Sequence, residues 1–300
     1  MSEAARRSPV VALVTSSRPL QWLKNLFVFA PLIFAQRLGD RASVTLALLA
    51  FACFCMLAAA TYLFNDLLDR ESDRLHPVKR RRPIPSGELG AGVVALASLL
   101  LLGGAAELAL YIGRPFLWTA LAYLVLQVLY TLALKRMVIL DVFAVSAGFV
   151  ARVLGGAFAV DVPASSWLLV CTVLIALFLS LAKRRHELLL LGDVAEEHRR
   201  SLTQYSIKLL DQMIGVVAPA TVVAYALYTL DPATVAKFGG FELVYTVPFV
   251  LYGLFRYLYL VHRREGGGEP DRTLLTDIPL LLNVLLYGAT VILLVYVLKD

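Results

Sequence analysis

The sequence predicts an all-α, polytopic membrane protein that forms a single transmembrane domain over residues 1–300. Hydrophobic residues make up 59% of the chain and the mean hydropathy is +0.75, which is far from the composition of a soluble globular domain. The charged residues avoid the long apolar runs and gather between them. This pattern predicts neither a soluble second domain nor a removable signal peptide.

A membrane-spanning helix needs about 20 mostly apolar residues. Nine apolar runs approach that length, and they predict nine transmembrane helices. The first run is short and contains Pro31, which interrupts a helix. The predicted spans are residues 22–37, 42–64, 91–112, 115–134, 138–160, 166–184, 209–230, 241–261 and 278–298.

The distribution of Lys and Arg predicts the orientation of these spans. Most basic residues lie before the first span or around the loops that follow the second, fourth, sixth and eighth spans. By the positive-inside rule, we expect a cytoplasmic N-terminus, a C-terminus on the opposite side and an active site facing the cytoplasm. We expect the protein in the cell inner (plasma) membrane. The net charge of +6 then reflects topology and contact with anionic membrane lipid, not nucleic-acid binding.

An acidic motif follows the second apolar run. Asn65, Asp66, Asp69 and Asp73 recur at helical spacing, which places Asn65, Asp69 and Asp73 on one side with Asp66 beside them. Such a set of oxygen ligands is typical of a Mg²⁺ site, because this ion also retains waters and accepts substrate phosphate oxygens. We predict these four residues as metal ligands and the three aspartates as catalytic. The alternative is a solvated loop with helix-capping aspartates.

Basic residues surround this motif. Lys79 and Arg82 follow it, and together with a metal they are suited to holding a pyrophosphate and releasing it. We predict Lys79 as catalytic and Arg82 as substrate-binding. Lys24 and Asn25 lie at the start of the first run and are also predicted to bind substrate, although Lys24 could instead anchor that run at the lipid headgroups.

Two further polar sets belong to the fourth and fifth spans. Tyr130 and Lys135 end the fourth span and are predicted to bind substrate, although Lys135 could be a simple positive-inside anchor. Arg152 lies within the fifth span about three turns after Asp141, so the two can face the same way. Arg152 is either a buried ion-pair partner or a phosphate clamp, and we predict the clamp.

A basic segment at the end of the sixth span is the last candidate site. Lys183, Arg184 and Glu187 lie within little more than one helical turn, so they form either an ordinary salt bridge or a second anion site facing the first. We predict all three as substrate-binding. The three cysteines lie within apolar runs, which argues against both a disulfide framework and a cysteine metal site.

The N-D-x-x-D-x-x-x-D motif of Asn65–Asp73, at the end of the second span, resembles that of the UbiA superfamily of intramembrane prenyltransferases. The resemblance implies helices around a central cavity with a polar cap on the cytosolic side, and transfer from a Mg²⁺-bound pyrophosphate. The sequence departs from the usual pattern after the sixth span, because Lys183–Glu187 stands where members carry a second Asp-rich motif. A cationic site there suits a substrate phosphate that is not bound to metal.

One branch of that superfamily matches this departure. The similar segments include Arg18–Asn25, Tyr62–Asp69, His76–Pro83 and Gly268–Pro270, and the resemblance extends over essentially the whole chain. It implies transfer of 5-phosphoribosyl from phosphoribosyl pyrophosphate (PRPP) to a polyprenyl phosphate such as decaprenyl phosphate, with release of pyrophosphate. That reaction belongs to the synthesis of a lipid-linked arabinose donor for the cell wall. The resemblance implies Mg²⁺ as the cofactor and is compatible with a homo-oligomer.

Two other functions stay open at this point. A UbiA-type enzyme could move a prenyl group from prenyl pyrophosphate to an aromatic or other acceptor, a reaction associated with the acidic second motif. A non-enzymatic lipid transporter would carry inverted repeats and broken helices near the middle of the membrane. The sequence has no evident repeat of that kind, and its charges gather toward one side of the membrane.

Overall fold

A computed structural model describes residues 8–75, 79–191, 201–240, 242–263 and 270–298, and this part of the chain is helical with no β-strand. Three features of the sequence analysis fall outside the described residues. The first is the start of the chain, where the N-terminus is predicted to be cytoplasmic. The second is His76 and Pro77 of the segment His76–Pro83, and the third is Gly268 and Glu269 of the segment Gly268–Pro270.

In chain order, the described α-helices are Pro9–Ser16 (α1), Ala30–Phe34 (α2), Arg41–Leu68 (α3), Arg70–Leu75 (α4), Ala91–Ile112 (α5), Arg114–Leu132 (α6), Leu140–Ala159 (α7), Ser166–Leu191 (α8), Ile207–Leu230 (α9), Pro232–Phe238 (α10), Val247–Arg263 (α11), Pro270–Thr276 (α12) and Ile278–Ile292 (α13). Shorter 3₁₀ helices occupy Pro19–Phe29, Lys79–Arg81, Leu134–Arg136, Leu202–Gln204 and Glu242–Thr246, and a π-helical turn covers Leu293–Val297. Helices α3, α9, α10 and α13 each begin at a capping residue whose side chain accepts a hydrogen bond from an N–H of the first turn. These capping residues are Asp40, Ser206, Asp231 and Asp277.

Eight helical segments of the described chain are long and apolar enough to cross a membrane. They correspond to predicted spans two to nine. The predicted count of nine is not confirmed, because the first predicted span is the 3₁₀ helix Pro19–Phe29 followed by the five-residue α2. Pro19 and Pro31 lie in the first turns of these two segments, where proline is tolerated. At their usual rises per residue the two segments together extend about 30 Å, which is close to the hydrocarbon thickness of a bilayer.

The N-terminal half of the bundle packs around α3 and α7. Helix α3 runs along α5, while α7 lies against α6, α8 and the Pro19–Phe29 helix. The ring of Phe54 in α3 meets Phe116 and Tyr123 of α6 edge to face, with ring centroids 5.8 and 5.2 Å apart. Such aromatic contacts fix the relative rotation of the two helices as well as burying apolar area.

The C-terminal half packs around α8, which runs along α9 and α7. A cluster of buried side chains that includes Phe178, Leu210 and Tyr257 joins α8, α9 and α11. Arg185 of α8 donates to Asp211 of α9 at 2.6 Å and to the carbonyl of Val261 in α11 at 3.4 Å. These contacts hold the polar ends of the three helices together.

Gly156 is required for the close approach of α7 to the Pro19–Phe29 helix. A Cβ built on Gly156 would overlap the backbone carbonyl of Val28, which cannot rotate away as a side chain could. We therefore expect Gly156→Ala to lower the free energy of unfolding by about 1–3 kcal/mol, the usual cost of overpacking. The measurement is thermal unfolding of purified protein in detergent.

Gly215→Ala in α9 is the matched control, because nothing lies within 4 Å of a Cβ added there. This variant should be at least as stable as the wild type, since alanine favours a helix more than glycine does. Indistinguishable unfolding of the two variants would contradict the close packing at Gly156.

Candidate active site

A polar cavity of about 730 Å³ lies among the last turns of α3, α6 and α8 and the middle of α7. Helices α3, α6 and α8 correspond to the second, fourth and sixth predicted spans. These spans end on the same side of the membrane when successive spans alternate in direction. The predicted site residues that line the cavity are Lys24, Asn65, Asp69, Asp73, Lys79, Arg82, Tyr130, Lys135, Arg152, Lys183, Arg184 and Glu187. The other two, Asn25 and Asp66, are buried behind its wall, with exposed fractions of 0% and 2%.

The acidic motif straddles the end of α3. Asn65 and Asp66 lie in its last turn, Asp69 is the residue that ends it, and Asp73 belongs to the short α4. The Asn65 amide donates to Asp69 Oδ2 at 3.2 Å, so these two residues are neighbours as their spacing predicts. Asp73 joins Asp66 instead, because Arg82 Nη1 donates to both carboxylates, at 3.1 and 3.3 Å.

Each aspartate of the motif is paired with cations from elsewhere in the chain. Arg18 Nη2 lies 2.5 Å from Asp66 Oδ1, and Lys79 Nζ lies 3.4 Å from Asp73 Oδ1. Lys135, which follows α6, lies 3.3 Å from Asp69 Oδ2. The cationic rim predicted around the motif is therefore formed by residues that neutralise the carboxylates directly.

The donor atoms at this site determine whether it can hold a metal. The described residues contain no group of three or more His, Cys, Asp or Glu side chains arranged around a common point. Asn65, Asp69 and Asp73 nevertheless line one cavity with oxygen-bearing side chains. Mg²⁺ is usually held by one or two carboxylates together with waters and substrate phosphates. The residues present fit a magnesium ion that is shared with a phosphorylated substrate.

Arg152 is held rigidly in the cavity wall by three hydrogen bonds. Its Nε donates to Asn25 Oδ1 at 2.6 Å, Nη1 to the Gly148 carbonyl at 2.7 Å, and Nη2 to the Tyr123 hydroxyl at 2.9 Å. The guanidinium also lies over the Tyr123 ring, 4.8 Å from its centroid. Asn25 thus holds Arg152 from the side that faces away from the cavity. This position explains why Asn25 is buried. A guanidinium has five N–H donors, so two remain after these three bonds.

Asp141 faces Arg184, not Arg152. It is fully buried and lies 3.5 Å from Arg184 Nε, while its Oδ1 accepts the Tyr205 hydroxyl at 2.8 Å. Arg184 also pairs with Glu187 one turn along α8. Asp141 and Arg152 share α7, and each finds its partners on other elements.

Tyr205 links the chain after α8 to the start of α7. Its hydroxyl donates to Asp141 and accepts the N–H of Ile139 at 2.7 Å. Burial, and then the hydrogen bond to Asp141, raise the pKa of the Tyr205 phenol. The phenol therefore stays a neutral donor at physiological pH, and it holds Asp141 in the orientation that meets Arg184.

A second, mostly apolar cavity of about 480 Å³ adjoins the polar one. It lies between the Pro19–Phe29 helix and helices α8, α9, α11 and α13, and its walls include Phe27, Phe178 and Tyr287. The residues that line both cavities are Lys24, Val145, Phe149, Ser180 and Lys183. The boundary between the two cavities thus carries two lysines, from different elements.

Several cavity residues were not selected from the sequence. Arg18 and Gln21 belong to the polar segment before the first run and line the polar cavity. Tyr62 of α3 and Gln127 of α6 also line the cavity. Gln127 could have been predicted from the sequence, because a polar side chain inside an apolar span often faces a cavity. Asp271, in α12, lies 3.3 Å from Lys24, and nothing in its local sequence indicated that contact.

Comparisons with known proteins identify relatives of this chain. The model of the UbiA prenyltransferase family matches residues 25–297. A decaprenyl-phosphate phosphoribosyltransferase from Mycolicibacterium smegmatis is 33% identical, over 92% of this chain and 92% of its own. One from Corynebacterium glutamicum is also 33% identical, over 95% of this chain and 87% of its own.

Solved structures share the fold. A UbiA homologue from Archaeoglobus fulgidus, bound to GPP and Mg²⁺, superposes with a TM-score of 0.73 over 95% of this chain and 100% of its own. The identity between the two is 17%, so this likeness speaks for the helical architecture alone. Divalent metal binding is therefore a property of that structural relative.

Tyr205→Phe tests the link between Asp141 and the chain after α8. The change removes one hydrogen-bond donor from a fully buried carboxylate, and we expect the free energy of unfolding to fall by about 1–3 kcal/mol. Thermal unfolding in detergent measures this loss. Tyr111→Phe is the control, because Tyr111 is 74% exposed and should tolerate the change. An unchanged midpoint for Tyr205→Phe would contradict the assigned hydrogen bond.

Proposed function

The chain belongs to the UbiA prenyltransferase family, and on that premise we propose that it transfers 5-phosphoribosyl from PRPP to a polyprenyl phosphate such as decaprenyl phosphate. Pyrophosphate is released. The observation that carries the proposal is the arrangement of one cavity, in which Asp69 and Asp73 are on one wall and Lys183 and Arg184 on another. The names of the similar mycobacterial and corynebacterial proteins agree with it. The product would enter synthesis of a lipid-linked arabinose donor for the cell wall.

The acidic wall is assigned to the pyrophosphate of the donor. Asn65, Asp69 and Asp73 would hold Mg²⁺ together with substrate oxygens, and Asp66 would support them from behind through Arg82. A bound magnesium ion supplies charge neutralisation for the departing pyrophosphate. Lys79 and Arg82, the two cations beside Asp73, would bind the same group.

The cationic wall is assigned to the phosphates that carry no metal. Lys183 and Arg184 would bind the 5-phosphate of the donor or the phosphate of the acceptor, and Glu187 would hold both cations in place. Arg152 keeps two N–H donors for a phosphate oxygen. Tyr130 and Lys135 line the wall between the two groups and complete the predicted binding set.

The apolar cavity supplies the place for the lipid tail of the acceptor. Its phosphate would then lie at the boundary, near Lys24 and Lys183, and face the donor in the polar cavity. An acceptor phosphate is already anionic at neutral pH, so the protein has to position two polyanions and needs no strong general base. The acceptor oxygen attacks C1 of the ribose as the bond to pyrophosphate breaks.

The membrane setting follows from the same assignment. The chain is a multi-pass membrane protein. The proposed orientation has the N-terminus in the cytoplasm of the cell, the protein in its inner (plasma) membrane, and the polar cavity open to the side where PRPP is made. The single domain over residues 1–300 and a homo-oligomeric assembly are part of the proposal as well.

A transfer assay on purified protein in detergent tests the proposed function. Labelled PRPP is offered with polyprenyl phosphate, with and without Mg²⁺, and the label is measured in the lipid phase. Mg²⁺-dependent labelled lipid is the expected result. No label in the lipid, together with prenyl transfer from a prenyl pyrophosphate to an aromatic acceptor, would overturn the proposal.

Asp69→Asn tests the acidic wall. Loss of this charge should lower turnover on the order of 100-fold or more, because the departing pyrophosphate loses part of its electrostatic support. The thermal midpoint should stay near that of the wild type, since the backbone N–H of Asp69 still caps α3. Glu71→Gln is the control, because this 77% exposed side chain pairs with Arg74 outside the cavity. Wild-type turnover by Asp69→Asn would contradict the assignment.

A further inference from the structure

Asp271 is a buried carboxylate whose charge is paired with Lys24. It lies near the start of the seven-residue helix α12, is 8% exposed, and lines the apolar cavity. Its Oδ2 lies 3.3 Å from Lys24 Nζ. A carboxylate buried in this way is costly unless the paired cation stays in place.

Lys24 is one of the two cations at the boundary between the cavities. It lines both of them, as does Lys183 from α8, and it also donates to Gln21 on its own helix. A lipid phosphate with its tail in the apolar cavity and its head facing the donor has to lie at this boundary. The carboxylate of Asp271 already occupies Lys24 from the apolar side.

We propose that Asp271 sets the affinity for the acceptor: it serves as an internal anion on Lys24 that a phosphorylated lipid displaces and a neutral lipid does not. This inference rests on the proposed function. A phosphate and a buried carboxylate repel each other at short range, so binding of the acceptor has to separate the Lys24–Asp271 pair. A lipid phosphate replaces the lost charge on Lys24, whereas the hydroxyl of a polyprenol cannot.

The pair therefore competes with the acceptor phosphate for Lys24 and sets how tightly a phosphorylated lipid binds. A neutral polyprenol carries no charge that repels Asp271, so it enters the same cavity with the pair intact. Removing the charge of Asp271 should make binding of the phosphorylated lipid easier and should leave binding of the neutral polyprenol nearly unchanged. Donor binding should stay the same, because the acidic wall for PRPP lies on α3 and α4.

Steady-state kinetics of Asp271→Asn in detergent tests the proposal, with labelled PRPP as donor and polyprenyl phosphate as acceptor. We expect the KM for polyprenyl phosphate to fall by about fivefold or more, the lower end of coupling between two competing ligands. The inhibition constant of the matching polyprenol should stay the same, as should the KM for PRPP. Asp271→Glu keeps the charge and should resemble the wild type.

Other outcomes separate the possible errors. An unchanged or higher KM for polyprenyl phosphate in Asp271→Asn would overturn the role of Asp271, as would a changed KM for PRPP alone. If Asp271→Asn does not fold, Asp271→Ser replaces it, because it also removes the charge, and an unchanged KM for polyprenyl phosphate in that variant would contradict the proposal. An equal fall in the inhibition constant of polyprenol would contradict it as well. Absence of transfer by the wild type is a failure of the proposed function, and it is seen before any variant is compared.

Discussion

The cost of burying ionised side chains between apolar helices is the constraint on which this structure depends. A charge in the membrane interior is tolerated when it meets an opposite charge or several directed dipoles. Arg152 meets this condition with three hydrogen bonds to Asn25, Gly148 and Tyr123. Those partners belong to the Pro19–Phe29 helix, α7 and α6, so one buried guanidinium fixes three elements around the polar cavity.

The same constraint arranges the charges on the cavity walls. The aspartates of the acidic motif pair with Arg18, Arg82, Lys79 and Lys135, which come from different parts of the chain. A site built in this way is assembled before substrate arrives, with its cations and carboxylates held within a few ångströms of each other. Phosphates and a metal would then exchange partners with groups that are already in position, which limits the reorganisation needed for the reaction.

The two adjoining cavities explain how one site can serve a water-soluble donor and a lipid acceptor. The polar cavity is lined by charged ends of helices, and the apolar cavity is lined by side chains such as Phe27 and Phe178. Lys24 and Lys183 belong to both. A reaction between two phosphorylated molecules of opposite solubility is suited to such a boundary, because each substrate stays in the environment that solvates it.

The sequence by itself determined the helical membrane class, spans two to nine, and most residues of the polar cavity. Apolar runs indicate where the spans lie, because each span must cross about 30 Å of hydrocarbon. Charged residues at the ends of alternate spans collect on one side of the membrane, and this identifies most residues of the cavity. Sequence did not predict the 3₁₀ winding of Pro19–Phe29, the burial of Asp66, or the contacts of Asp141 and Asp271. Only the tertiary structure decided these, because local spacing defines the face of one helix, whereas the partner of that face depends on packing between segments far apart in the chain.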